Sequence, residues 1–504
     1  MNLPGLFRQC LTRRAAETGL EFAGREYSFA ELDRRSNRLA HRWLEDGFRP
    51  GDRVAVYLKN CVELIDAYLA AVKIGLVFTP VNILYREREI AYILEDAEPR
   101  GIVVSREDEK LVLPGLRQLH EPYLYLVEDF YGLLRDCPSD PPPCPADAGT
   151  VAALIYTSGT TGRPKGAMLT HGNFAANARN LIESWRITAE DRLLLALPLF
   201  HVHGLGNGLH TWLAAGYRLR LLERFRKETI LEEFLDFRPT VFFGVPTMYE
   251  RLLAAPPETA RRIGAFMRLF VSGSAALPAR TLKRFAELYG HVILERYGMT
   301  ETLMNLSNPY EGERRPGSVG RPLPGVSIRL GDPETGAAGE ERDSGEIQIK
   351  GPNVFAGYWR RPQATAEAFT EDGWFRSGDL AVRSADGYYM LQGRRTELII
   401  TGGFNVYPRE IEEFLEEQPE VAEAAVVGAP DPVKGEVPVA FLAPAGSARP
   451  EPEELERRCR EHLASFKAPR RFFWVEKLPR NALGKIQRRR LPVPGKPAGG
   501  GVRG

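Results

Sequence analysis

VAALIYTSGTTGRPKGAMLTH, Val151 to His171, reads as an apolar strand that delivers a loop of small and hydroxylated residues to Lys165. Small residues let backbone N–H groups converge on an anion, the hydroxyls add donors, and the lysine supplies a mobile positive charge. Gly159 and Gly162 alone would fit an ordinary turn. The ordered run Thr157, Ser158, Gly159, Thr160, Thr161, Gly162, Lys165, Gly166 reads instead as a phosphate-handling loop on an α/β scaffold. It is not a Walker A loop, because Gly166 stands where a Ser or Thr would be needed to hold magnesium. P-loop NTPases and kinases therefore fall behind other nucleotide-handling folds.

Outward from this loop, short β-branched or apolar runs alternate with helical patterns, the mark of βα units and mostly parallel sheets. Ser28, with Glu31 three residues on and Leu32, Leu39 and Trp43 behind it, predicts a capped amphipathic helix. Strands are expected at Arg53 to Leu58, Val241 to Val245 and His291 to Leu294, with a helix over about Pro278 to Tyr289. Near Gly393 the character changes to a small α+β unit, with strands at Ala424 to Val427 and Val437 to Leu442 and a charged helix from Glu451 to about Ser465. The Pro-rich stretch Cys137 to Asp147 reads as loop, and Pro492 to Gly504 as a flexible tail. The expected fold class is α/β: a large N-terminal body, residues 1–393, with mostly parallel sheets, and a small C-terminal α+β domain, residues 398–491.

The 504 residues carry 67 Lys and Arg against 66 Asp and Glu, a net charge of +1, so no whole-chain field exists to hold nucleic acid or an anionic membrane. A hydrophobic share of 43% with 26% charged residues excludes a disordered chain. The apolar run Leu193 to Phe200 is interrupted at Pro198 and falls far short of the roughly 18 to 20 residues of a membrane span. The five cysteines are scattered, without CxxC pairing or clustered His, which disfavours a disulfide framework or a zinc site. The opening has no secretory pattern, so a reducing cytoplasm is expected; Arg8, Arg13 and Arg14 in an acid-free opening leave an organellar presequence as the alternative.

Further motifs follow in order: ERYGMTET (Glu295 to Thr302), WFRSGDL (Trp374 to Leu380), GRRTELIITGGFNVYP (Gly393 to Pro408) and LPRNALGKIQRR (Leu478 to Arg489). Together with the Val151 segment, the series resembles the AMP-forming adenylation superfamily across nearly the whole chain. The resemblance implies that a carboxylic acid and ATP form an acyl adenylate and pyrophosphate, with thiol attack by coenzyme A to follow. It implies roles for Thr300 as a phosphate-binding hydroxyl and Glu301 as the Mg2+ carboxylate. Tyr297, Gly298, Gly273 and Ser274 would surround adenine, Asp379 and Arg394 the ribose, and Lys485 would bridge the carboxylate and the α-phosphate from an exposed loop. It also implies a mobile C-terminal domain, with a hinge at 394–397 where Thr396 replaces the usual Asp or Lys. After rotation, Gly402, Gly403 and Lys467 would face CoA.

Substrate choice is expected from LPLFHVHGLGNGL (Leu197 to Leu209), GVPTMYERL (Gly244 to Leu252), VSGSAAL (Val271 to Leu277) and the segment around Met299. No acid occurs between Leu197 and Leu209 to pair an amino-acid ammonium. His201, His203, Arg251 and Arg296 do not suit a long alkyl tunnel, since a buried arginine without an anion is costly. The stretch Glu295 to Ile328 and LPLFHVHGL resemble malonyl-CoA synthetases within the superfamily. That resemblance implies that Arg296, assisted by His201 or Arg251, binds the free carboxylate of malonate or methylmalonate. Lys485, Thr300, Glu301 and His201 are the candidate catalytic residues. The alternatives are a short- or medium-chain acyl-CoA ligase and a non-catalytic nucleotide-binding relative.

Overall fold

The computed structural model describes every residue except 158–163, 338–341, 402–403, 433, 482–483 and 495–504. Two mainly parallel sheets dominate the first half of the described chain. In spatial order, one runs Arg321–Pro322, Leu303–Ser307, Leu294–Met299, Leu269–Ser272, Val241–Gly244, Arg192–Leu195, Arg218–Leu221, Thr18–Phe22, Arg25–Ser28. The other runs Tyr123–Leu126, Gly101–Val104, Arg53–Tyr57, Val77–Pro80, Val151–Thr157, Lys165–Thr170. Val241–Gly244 and Leu269–Ser272 are buried along their whole length, as parallel strands covered on both faces must be. The Ser28 hydroxyl accepts from the Glu31 N–H at 3.1 Å and starts the helix Phe29–Glu45, whose Leu32, Leu39 and Trp43 enter the core. Such a cap contributes about 1 kcal/mol.

Two expectations need correction. The strand expected at His291 to Leu294 begins only at Leu294 and runs on to Met299, through the YGM motif. His291 instead sets its Nε2 2.9 Å from the Gly264 carbonyl, tying the end of one helix to the next connection. The second is a four-stranded antiparallel sheet, Ser327–Gly331, Ser344–Lys350, Phe375–Arg383 and Tyr389–Arg394, where alternating βα units had suggested parallel strands. The connection from Arg383 to Tyr389 is a short turn, closed by the Gly387 N–H to the Ser384 carbonyl at 2.8 Å, whereas Lys350 and Phe375 are joined through the helix Pro362–Glu367. Short turns permit only antiparallel neighbours. The resulting register sets Asp379 opposite Arg394.

The C-terminal part is a separate sheet ordered Phe404–Val406, Ile399–Thr401, Gly435–Pro444, Val421–Asp431, with Arg471–Trp474 paired to Gly435–Pro444. The helices Pro408–Glu416 and Pro452–His462 belong to the same unit. Its apolar core, built on Val406, Ile411, Leu415, Val426 and Leu455, is distinct from the core that runs from Leu3 to Tyr389. Two units with separate cores face each other, and Arg280 donates across to the carbonyls of Val421 and Ala422 at 3.1 and 2.5 Å. No helix among the described residues is long and apolar enough to cross a membrane.

Candidate active site

A cavity of about 410 Å³ opens between the two units, with Ser274, Arg296, Tyr297, Gly298, Met299, Asp379, Arg394 and Lys485 in its walls. The strand Leu294–Met299 forms part of its wall and delivers Arg296 and Tyr297, while Thr300 and Glu301 follow in the turn to Leu303–Ser307, beyond the cavity's lining. Alternation along the strand separates the roles, because successive side chains leave on opposite faces. The Tyr297 hydroxyl donates to Asp379 Oδ2 at 2.6 Å, and Arg394 Nε lies 3.0 Å from Asp379 Oδ1. Asp379 is thereby fixed from two sides while its carboxylate borders the cavity.

Lys485 departs from the exposed loop expected of it. It is half-buried in the cleft wall, on a turn closed by the Lys485 N–H to Asn481 Oδ1 and the Asn481 N–H to the Lys485 carbonyl, each 2.9 Å. Gly484 has φ +76°, and a Cβ there would lie 2.9 Å from Thr247 Oγ1 on the opposite unit. Glycine therefore satisfies both the left-handed turn and the close approach. Burial, then the Arg394 charge, pushes the Lys485 ammonium below the ordinary lysine range, while Asp379 and Glu397 favour its charged form.

On the acyl side, Arg296 is 3% exposed, and its Nε and Nη2 are buried without a hydrogen-bond partner among the described residues. The simple pairing with Glu295 is not made: Glu295 Oε1 accepts from the Leu277 N–H at 3.0 Å. Burial pushes the Arg296 guanidinium down to about 9, so it is charged at neutral pH. Burial and that charge hold His201 near 4 and His203 well below the usual histidine range, so both imidazoles are neutral. The His203 N–H donates to His201 Nδ1 and its own Nδ1 sits beside Ser274 Oγ, each 3.1 Å. His203 opens a π-helical turn, His203–Leu209. Such turns widen the helix and recur at functional sites. Arg251 is not brought here; it is exposed, with its guanidinium 5.8 Å from the centre of the Phe225 ring.

Gly273 makes the room that Arg296 occupies: a Cβ there would meet the guanidinium at 2.4 to 2.6 Å. Gly273→Ala is expected to displace the arginine and raise KM for an acid with a second anionic group by up to about 10²-fold. Steady-state kinetics with both substrates varied checks this.

At the phosphate end, Thr157 and Lys165 sit opposite each other where an antiparallel pair of strands leaves and re-enters the sheet. The loop therefore joins strand to strand, and the next helix starts only at His171. Ser158, Gly159, Thr160, Thr161 and Gly162 lie outside the described residues. Lys165 Nζ lies 5.2 Å from the centre of the Tyr358 ring, whose hydroxyl donates to Glu301 Oε1 at 3.0 Å. No group of three or more His, Cys, Asp or Glu that could hold a metal occurs among the described residues. The buried Glu301 carboxylate beside Thr300 fits Mg2+ that arrives on nucleotide phosphates, since Mg2+ keeps several waters and takes one or two carboxylates. Of the residues expected to meet CoA, Gly402 and Gly403 lie outside the described residues, and Lys467 pairs with Glu410 at 2.7 Å. The sequence reading placed His203 in the acyl lining and missed Tyr358. Tyr358 sits in FAGYWRRP, where only the Gly-Tyr-Trp cluster could have drawn notice.

Comparison with known proteins accords with this geometry. The AMP-binding enzyme family model matches residues 7–359, and the AMP-binding enzyme C-terminal domain model matches residues 410–485. The mitochondrial malonate–CoA ligase of Mus musculus is 37% identical over 92% of this chain and 86% of that protein. A feruloyl-CoA synthase of Amycolatopsis sp is 36% identical over 93% of this chain and 94% of that protein. The crystal structure of ATP-bound MatB from Rhodopseudomonas palustris superposes with a TM-score of 0.91 at 40% identity, covering 97% of each chain. The chain belongs to the AMP-binding enzyme family, as an AMP-forming acyl-CoA synthetase.

Proposed function

We propose that the enzyme ligates malonate, with methylmalonate as the neighbouring possibility, to coenzyme A through an acyl adenylate, releasing AMP and pyrophosphate. The observation that carries this reading is the buried Arg296 in the cavity wall, whose Nε and Nη2 have no hydrogen-bond partner among the described residues. An uncompensated buried cation is costly, and a second carboxylate on the substrate offsets that cost when it binds. Two guanidinium N–H groups can grip it in the bidentate geometry that Arg favours over Lys. The sequences of the ligases named above leave this open, since a feruloyl-CoA synthase is as similar as a malonate–CoA ligase.

In the adenylation step the reacting carboxylate attacks the α-phosphorus, and two anions must meet. Lys485 neutralises them on the side of the C-terminal unit, while Asp379, held by Tyr297 and Arg394, takes the ribose hydroxyls. Thr300 offers a phosphate donor. Glu301 would hold Mg2+, which would supply positive charge where the pyrophosphate departs. The neutral His201, near enough to Arg296 to feel its charge, is proposed to bound the acyl pocket. For thiol attack the C-terminal unit, residues 398–491, is proposed to turn on residues 394–397, with Thr396 as the pivot, removing Lys485 and presenting the Gly402–Gly403 loop and Lys467 to CoA. A hinge needs backbone freedom more than a charge, so Thr396 suits it.

The test is Mg2+- and ATP-dependent CoA thioester formation across malonate, methylmalonate, succinate, acetate, octanoate and palmitate. Malonate or methylmalonate is expected to lead in kcat/KM by at least about tenfold over the monocarboxylates. A lead for any monocarboxylate would overturn the substrate assignment and leave the adenylation chemistry standing. A single methyl is worth only about 1 to 3 kcal/mol, so the two diacids are expected to stay within about 200-fold of each other.

A further inference from the structure

One loop ties together the two groups that meet the nucleotide phosphates. The Phe355 N–H donates to the Glu301 carbonyl at 2.8 Å, fixing the turn that carries the carboxylate. The Ala356 N–H donates to the Met168 carbonyl and the Met168 N–H to the Gly357 carbonyl, each at 2.9 Å, and the Trp359 N–H donates to the Gly166 carbonyl at 2.8 Å. These bonds grip the strand Lys165–Thr170 immediately behind its lysine. Backbone contacts of this kind set the spacing between Lys165 and Glu301 without touching either side chain.

Tyr358, at the centre of the loop, touches both. Its hydroxyl donates to Glu301 Oε1 at 3.0 Å, and the Lys165 ammonium stands 5.2 Å from its ring centre. The tyrosine is itself immobilised: its N–H donates to Thr365 Oγ1 at 2.9 Å, and its ring stands edge-on to Phe355 with centroids 4.9 Å apart. A phenol that donates to one carboxylate oxygen orients the second oxygen, and the face of an aromatic ring attracts an ammonium group. One-oxygen ligation is what Mg2+ requires when its remaining positions are phosphate and water.

We propose that Tyr358 is the positioning residue of the phosphate end: it aims Glu301 at the metal that accompanies ATP and seats the Lys165 ammonium on its ring. This rests on the roles proposed above for Glu301 and Lys165. The phenol hydroxyl and the ring have separable consequences. Losing the hydroxyl frees the carboxylate and weakens the metal's contribution to ATP binding, whereas losing the ring also releases the lysine.

The experiment is calorimetric titration of ATP into the full-length protein, without acyl substrate, over a series of Mg2+ concentrations. Wild type, Tyr358→Phe, Tyr358→Leu and Glu301→Gln are compared, with thermal melts alongside. Tyr358→Phe is expected to raise the Mg2+ concentration for half-maximal strengthening of ATP binding by about 10- to 100-fold, the usual cost of losing such an outer partner. Its metal-free ATP affinity should stay within about twofold of wild type, since the ring is kept. Tyr358→Leu should also lose about fivefold in metal-free ATP affinity. If Tyr358→Phe keeps the wild-type Mg2+ dependence while Glu301→Gln loses it, the Tyr358 assignment is wrong. The same follows if Tyr358→Phe weakens ATP binding equally with and without Mg2+, which is the signature of general loosening. If Glu301→Gln itself keeps the wild-type dependence, the fault lies in the Glu301 assignment, and the inference falls with it.

Discussion

Arg296→Leu is expected to lower kcat/KM for malonate by about 10² to 10³-fold, with the thermal midpoint unchanged or raised. The first effect follows from the chemistry of a desolvated ion pair: removing one partner of such a pair costs about 2 to 5 kcal/mol, and each 1.4 kcal/mol is tenfold. The second follows from the free enzyme, where Arg296 is buried with Nε and Nη2 unpartnered among the described residues and its guanidinium is pushed down to about 9. A cation in that position opposes folding until substrate arrives. Replacing it with an apolar side chain of similar size removes that opposition, as buried ionic groups exchanged for hydrophobic ones often do. A structural arginine would behave oppositely, losing stability and activity together. Kinetics with malonate and acetate plus a thermal melt separate the cases: lost malonate turnover with a stable fold supports the assignment, and unchanged malonate kinetics would sink it.

Lys485→Ala is expected to reduce acyl-adenylate formation by about 10² to 10³-fold, the usual cost of deleting one charged donor from a preorganised anionic transition state. Thioester formation from supplied acyl adenylate should fall by less than about fivefold, because the proposed rotation carries this lysine out of the site before thiol attack. Pyrophosphate release measures the first half-reaction and thioester from synthetic adenylate the second. Equal losses in both would mean that Lys485 supports the cleft in general, through the turn it closes with Asn481, and would overturn the two-stage reading. Equal activity to wild type in the first half-reaction would remove the lysine from the chemistry.

Much of this site was legible because its parts are local. Tyr297, Thr300 and Glu301 fall in one strand and the turn after it, so a short motif carries their spacing. Asp379 and Arg394 lie fifteen positions apart, and only the antiparallel register of Phe375–Arg383 with Tyr389–Arg394 makes them partners. Lys485 read as a surface lysine among arginines because burial is a property of the packed units; the cleft wall and the Thr247 contact at Gly484 take it out of solvent. Arg251 shows the reverse case, since its chemistry suited the acyl pocket and its helix turns it outward over Phe225.

By itself the sequence determined the alternation of strands and helices, the strand Val151–Thr157 that leads toward Lys165, the capped helix after Ser28 and the order of the adenylation motifs. Each is set within one or two turns of chain by periodicity, small residues or side-chain caps. Only the tertiary structure decided that Arg296 Nε and Nη2 have no partner among the described residues, that Gly273 leaves space for the guanidinium, and that Tyr358 joins Lys165 to Glu301. Those facts depend on segments tens to hundreds of residues apart meeting at one place, and the free energy of a buried charge depends on everything that packs around it.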